Sequence, residues 1–158
     1  IRIFNAYGTR VRTTGAYGAV FGVFFKQKLA GKPFTVVGDG TQTRSFQYVR
    51  DLVKGLVALM DGDHTGPVNI GNPGEFTMKE LADKVREVVN PDATTVYKEN
   101  TADDPGRRKP DITKAKELLG WEPVVPLAEG LQKMVGDFRR RLGKEEDEDG
   151  PAAKKAKN

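Results

Sequence analysis

The 158-residue chain contains no cysteine, which removes disulfides, thiolate catalysis and thiolate metal sites in one step. It has a single histidine, His64, placed between Asp63 and Thr65 in a turn with no serine or cysteine nucleophile marked out nearby. One imidazole and no thiolate are too few ligands for a zinc site, so no metal is expected. No apolar run approaches the roughly 18 residues that a membrane span needs, so this chain carries no membrane segment. The opening Ile1-Arg2-Ile3-Phe4 lacks both a methionine and the basic-then-apolar form of a signal peptide, and reads as the middle of a longer sequence.

What is present is a globular composition, with 37% hydrophobic and 30% charged residues, long enough for one domain and a real core. The net charge is +4, but the cations are spread along the chain without interleaved aromatic platforms, so nucleic acid is not the expected partner. From Gly143 the composition changes: "KEEDEDG" and "PAAKKAKN" offer nothing to bury, and residues 143–158 are expected to form a disordered charged tail.

Ahead of the tail, short apolar strands alternate with helices, which predicts an α/β fold. Ile1–Phe4 reads as a short buried strand, residues 5–18 as a glycine-rich loop, and Ala19–Ala30 as a helix closed by Gly31. Phe34–Val37 and Arg44–Val49 read as strands around the "GDGTQT" turn. Leu52, Val53, Leu56, Val57, Leu59 and Met60 share one face at helical spacing, and this is the clearest helix of the chain. Pro67–Ile70 is a further strand. Thr77-Met78-Lys79-Glu80 has the form of a capping box, and Met78, Leu81, Ala82, Val85, Val88 and Val89 make the buried stripe of the helix. Thr94–Lys98 reads as a strand, residues 103–111 as a loop, and Thr113–Leu119 and Leu127–Leu142 as helices, the second with Leu131, Met134, Val135 and Phe138 inward.

The candidate chemistry is carried by arginine. Gly15, Gly18 and Gly22 precede a helix but lack the strand and immediate tight turn of a dinucleotide fingerprint, and Phe21 stands where the third glycine belongs. The pairs Asp61/Asp63 and Asp103/Asp104 lie in turns that favour aspartate for local hydrogen bonds. Arg44, after "GDGTQT", and Arg107 with Arg108, in "DDPGRRKPD", sit at the ends of predicted strands. A guanidinium stays charged when partly buried and presents paired donors that match phosphate oxygens. Two such loops either converge on one diphosphate or are solvated loops; the residues alone leave both open.

The stretches "RIFNAYG", "GKPFTVVGDGTQTRSFQYVRDLVKGLVALM", "GPVNIGNPGEFTMKEL" and "DDPGRRKPDITKAKELLGWEPVVPLAEGL" resemble the C-terminal half of the extended short-chain dehydrogenase/reductases that act on nucleotide sugars, the NAD-dependent epimerase/dehydratase family. The resemblance covers nearly all of residues 1–142 and favours the branch that decarboxylates UDP-glucuronate. It implies a C-terminal substrate-binding part whose N-terminal Rossmann half, with the glycine fingerprint and the Tyr-x-x-x-Lys pair, is missing. None of Tyr7, Tyr17, Tyr48 and Tyr97 has a lysine four positions on. By resemblance Asn5 contacts substrate beside the catalytic centre, Ala6 lines the nicotinamide end of the NAD site, and Arg44 and Arg108, with Arg107 as the near alternative, hold the UDP diphosphate.

The activity so implied for the complete enzyme is oxidation of UDP-glucuronate at C4 by NAD, loss of carbon dioxide from the resulting β-keto acid, and reduction to UDP-xylose. The present chain would supply UDP-sugar binding and be inactive alone. Family members are commonly homodimers and occur in the cytoplasm or as Golgi forms with an N-terminal anchor. Three positions depart from the decarboxylase pattern. Val37 replaces an aromatic in "VYGDG", Ala19 replaces an arginine directed at the active site, and Thr9 replaces a proline. The last two resemble an epimerase relative, so the same half of a UDP-sugar 4-epimerase or dehydratase stays open as an alternative, as does a non-enzymatic sugar-nucleotide-binding or interaction module. Without the Rossmann half, the first strand should expose an edge and an apolar face.

Overall fold

A computed structural model describes residues 1–12, 20–89, 91–99 and 107–141. Nine short strands and five helices follow one another within these segments. In chain order they are β1 (Arg2–Ile3), β2 (Ala6–Tyr7), α1 (Val20–Leu29), β3 (Phe34–Val37), β4 (Thr43–Ser45), β5 (Gln47–Tyr48) and α2 (Val49–Met60). Then come β6 (Asn69–Ile70), β7 (Glu75–Thr77), α3 (Met78–Val89), β8 (Thr95–Lys98), β9 (Arg107–Arg108), α4 (Thr113–Leu119) and α5 (Leu127–Arg141). The α/β arrangement expected from the alternation is the observed one.

Strands pair in parallel as β1–β6, β2–β5, β3–β8 and β4–β9, while β4–β7 is antiparallel. Parallel pairing joins segments far apart in sequence, so each ladder fixes a long-range distance. Two hydrophobic clusters result. The larger gathers Phe21, Phe24 and Phe25 of α1, Leu81 and Val85 of α3, and Leu131, Met134 and Phe138 of α5 around β3. The smaller packs Leu52 of α2 and Ala115 of α4 with Val68, Ile70, Ile112 and Trp121.

Local sequence rules account for several element ends. The capping box forms: the Thr77 N–H and Oγ1 donate to the Glu80 carboxylate at 2.8 and 3.0 Å, and the Glu80 N–H donates to Thr77 Oγ1 at 3.1 Å. Gly120 ends α4 at φ +57°, a left-handed conformation that glycine adopts without strain.

Four expectations need correction. Ile1–Phe4 is not a buried strand: β1 is exposed, with Ile1 and Ile3 44% and 53% accessible, because β6 alone covers it among the described residues. The predicted strand Arg44–Val49 is two short strands separated at Phe46, and the next helix begins at Val49. The apolar face of that helix does not all turn inward. The core side of α2 is Asp51, Leu52 and Gly55, where Gly55 lets Ile70 and Trp121 approach, and Val53, Leu56, Val57 and Met60 face outward. Finally, Arg107 and Arg108 belong to a strand rather than a loop, because they pair with Thr43 and Arg44. The predicted disordered tail from residue 143, the "GAYGA" loop with Ala19, and Asp103–Gly106 lie outside the described residues.

Candidate functional site

A cavity of about 290 Å³ opens between α1, β3, β4 and the start of α3. Its polar lining is Asn5, Thr35, Gln42 and Arg44; its apolar lining includes Phe21, Val37, Phe46 and Met78, with Ala6 and Val20 at the wall. Three of the residues singled out in sequence, Asn5, Ala6 and Arg44, thus meet in one cavity although β4 lies about forty positions beyond β2.

The reason Arg44 reaches the cavity is strand alternation: Arg44 and Phe46 project to it while Ser45 and Gln47 project behind. Arg44 is 9% accessible, and its Nη1 donates to the Thr43 carbonyl at 2.7 Å. Arg108 is exposed and stands in register with Arg44 on the parallel neighbour β9, which puts both residues on the same side of that sheet. Ser45 Oγ donates to the Arg108 carbonyl at 2.9 Å and ties the two strands further. Arg107 pairs with Thr43, one position back on β4. Lys109 is exposed and paired with Glu75 at 3.6 Å.

Asn5 is oriented by its surroundings. Its Nδ2 donates to the Ser45 carbonyl at 2.9 Å, which leaves the amide oxygen as an acceptor and the second Nδ2 hydrogen as a donor. Beneath it, Tyr7 is buried against Phe21 and Tyr48 at 4.7 and 5.6 Å between ring centroids. Burial pushes its phenol pKa well above the usual tyrosine range, and the neighbouring Tyr48 and Asp51 act in the same direction, so Tyr7 is a neutral core residue.

The edge of β3 supplies a second polar feature. The Phe34 and Gly38 N–H groups donate to β8-side carbonyls of Thr94 and Lys98, both at 2.9 Å. Alternation then directs the backbone groups of Thr35 and Val37 to the opposite edge, on the cavity side. Gln27 of α1 accepts from the Thr35 N–H at 3.1 Å and Gln42 donates to the Val37 carbonyl at 2.6 Å. The Thr35 carbonyl and the Val37 N–H point the same way, an acceptor and a donor two residues apart on one cavity wall.

Sequence reasoning missed Thr35, Gln42, Phe21, Phe46 and Met78 as lining residues. The aromatic and methionine side chains carry no signal that separates a cavity wall from a core, and the edge of β3 becomes visible only when its pairing with β8 is known. His64 is half-buried and does not line the cavity. Among the described residues no group of histidine and carboxylate side chains could hold a metal, and no helix is long and apolar enough to cross a membrane.

The profile of the GDP-mannose 4,6 dehydratase family matches residues 1–134, and the chain belongs to that family. It is 60% identical over 146 residues to UDP-glucuronic acid decarboxylase 1 of Arabidopsis thaliana, an alignment that covers 92% of the chain and 33% of the plant protein. It is 50% identical over 141 residues to UDP-glucuronic acid decarboxylase 1 of Xenopus tropicalis, over 89% and 33% of the two chains. Among solved structures, UDP-glucose 4-epimerase of Thermotoga maritima with UDP-glucose superposes with a TM-score of 0.84 at 35% identity, over 89% of this chain and 45% of that one. UDP-glucuronic acid 4-epimerase of Bacillus cereus, in complex with UDP-glucuronic acid and NAD, gives 0.79 at 31% identity, over 89% and 44%. The chain therefore spans about a third of the curated relatives and under half of the solved ones.

Proposed function

We propose that residues 1–142 are the sugar-nucleotide-binding part of a UDP-glucuronate decarboxylase, and that the cavity holds the UDP-sugar. The observation that carries this reading is the convergence of Asn5, Ala6 and Arg44 on one cavity, with Arg108 in register beside Arg44. Two guanidinium groups on neighbouring strands form a clamp for a diphosphate, since each presents planar paired donors to phosphate oxygens. The Thr35 carbonyl and Val37 N–H complement the ring N–H and the adjacent carbonyl of uracil, and Phe21 and Phe46 supply an apolar wall. Asn5 offers an acceptor to a sugar hydroxyl. Identity near 60% to plant decarboxylases favours that activity over the epimerases found among the structural neighbours.

The chain supplies grip and orientation. Binding energy from the nucleotide, remote from the reacting carbon, fixes the sugar's position, and that is a large share of catalysis in a bond-making site. Ala6 leaves the wall beside Asn5 open to a flat ring, which fits the nicotinamide end of NAD, while the glycine fingerprint and the Tyr-x-x-x-Lys pair are absent from this sequence. NAD, when bound, supplies the acceptor and donor of hydride at the sugar. The exposed edge of β1 with Ile1 and Ile3, and the outward stripe Val53, Leu56, Val57 and Met60, supports the need for a further α/β segment. By the same family reasoning the full-length protein acts as a cytoplasmic homodimer, with a Golgi form as the alternative.

Incubation of the full-length protein with NAD and UDP-glucuronate tests this function. Release of carbon dioxide with formation of a UDP-pentose is expected; epimerised UDP-sugar without carbon dioxide would assign it to the epimerases instead. The 158-residue chain alone is expected to bind UDP and turn nothing over.

A further inference from the structure

The residues behind the cavity wall form a connected hydrogen-bond chain that the proposed function does not use. Gln47 is fully buried, and its Nε2 donates to the Phe4 carbonyl at 2.9 Å and the Ile70 carbonyl at 2.8 Å. Both partners are carbonyl oxygens, which only an amide nitrogen can satisfy, so the orientation of the side chain is fixed. Its backbone N–H donates to the Asn5 carbonyl at 3.2 Å, and Gln47 stands in register with Ala6. One residue therefore holds Phe4, Asn5 and Ala6 against the end of β6.

Two positions earlier, Ser45 is also buried, and it reaches both sides of the site. Its carbonyl accepts from Asn5 Nδ2, and its hydroxyl donates to the Arg108 carbonyl. On either side of Ser45 in the chain, Arg44 and Phe46 line the cavity. The five residues Arg44 to Tyr48 thus tie the place assigned to the sugar, at Asn5 and Ala6, to the place assigned to the diphosphate, at Arg44 and Arg108.

We propose that Ser45 and Gln47 are positioning residues that set the separation between the sugar contact at Asn5 and the diphosphate clamp. This rests on the UDP-sugar function above. Neither residue touches the cavity itself; Gln47 acts through Asn5 and Ala6, and Ser45 acts mainly through Arg108. The two ends are held by different bonds, so they separate kinetically. Loss of the Gln47 amide frees the sugar end and leaves the clamp, while loss of the Ser45 hydroxyl loosens β9 and leaves the Asn5–Ser45 carbonyl bond.

The test is a pair of variants in the full-length protein, with kcat for UDP-glucuronate and the inhibition constant for UDP measured on each. Gln47→Met, similar in length but without donors, is expected to lower kcat about 100-fold, the scale of a displacement near 1 Å, with UDP inhibition within about threefold of normal. Ser45→Ala is expected to give the opposite split: UDP inhibition weakened about fivefold, as for one lost hydrogen bond, and kcat within about threefold. Parallel losses of kcat and UDP affinity in either variant, or no change in both constants, would overturn the assignment. If Gln47→Met does not accumulate as folded protein, Ser45→Ala decides alone by its own split. The unsubstituted protein reads the underlying function separately: absence of both UDP inhibition and carbon dioxide release would remove that function, and this assignment with it.

Discussion

Replacement of Gly130 by alanine sets two effects against each other. Alanine is a better helix former than glycine, so in the interior of α5 the change gains about 1 kcal/mol from propensity alone. The added methyl group, however, would collide with Tyr7 Oη and stand 2.7 Å from Cζ and 2.8 Å from Cε2. Tyr7 is 2% accessible and its ring is wedged between Phe21 and Tyr48, so it cannot swing away as a surface side chain would. Overpacking of this kind costs up to about 3 kcal/mol, and with two ring carbons and the hydroxyl oxygen inside contact distance we take that upper value. The clash wins by about 2 kcal/mol, which lowers the Tm by about 4–8 °C for a chain of this length.

Thermal and denaturant unfolding of Gly130→Ala measures it. The Tyr7→Phe change alone costs little, because the Tyr7 hydroxyl reaches the Leu127 carbonyl only at 3.5 Å. In the double variant the collision with the hydroxyl oxygen disappears and about half the loss is recovered; the ring-carbon contacts retain the rest. Unchanged or raised stability in Gly130→Ala would refute the reasoning, and so would a double variant no better than the single one. Because Phe21 lines the cavity and packs on Tyr7, Gly130→Ala should also weaken UDP binding.

Two further outcomes follow from the same structure. Asp51 is buried and accepts from the Val124 and Val125 N–H groups at 3.1 and 2.9 Å, so Asp51→Ala should cost about 2 kcal/mol in denaturant unfolding; a cost below about 0.5 kcal/mol would show those donors to be satisfied otherwise. The Glu80 carboxylate is held below the usual range by the Thr77 N–H and hydroxyl, and Asp39 and Asp111 are lowered likewise by Thr41 and Thr113. A depressed carboxylate pKa contributes stability above its unfolded value and loses it as pH falls through the folded value. Unfolding midpoints should therefore fall on acidification below the ordinary carboxylate range, and Glu80→Gln should flatten part of that slope; an unchanged slope would contradict it.

Where a signal is local, the chain could be read directly. Thr77 to Glu80 specified a capped helix, Gly120 a helix end, and the spacing of Leu81, Ala82 and Val85 a buried stripe, because each depends on neighbours within one or two turns. Arg107 and Arg108 show the limit. Their strand exists only by pairing with Thr43 and Arg44, more than sixty positions away, and nothing local announces it. The outward face of α2 is a limit of another kind, since period reveals that Val53, Leu56, Val57 and Met60 share a side but not whether anything covers it. Of the cavity lining, Asn5, Ala6 and Arg44 were singled out in the sequence. Phe21, Phe46 and Met78 were not, because a wall and a core use the same side chains.

Arg44, which lines the cavity, and Arg108, in register beside it, are proposed to grip a diphosphate. Calorimetric titration of the chain with UDP and with uridine, before and after Arg108→Ala, tests this grip most directly. UDP should bind more tightly than uridine to the unsubstituted chain, and Arg108→Ala should cost UDP about 10- to 100-fold, the scale of a lost charge-assisted contact, while uridine changes little. Equal affinity for UDP and uridine in the unsubstituted chain, or an Arg108→Ala variant that binds UDP as before, would contradict the account.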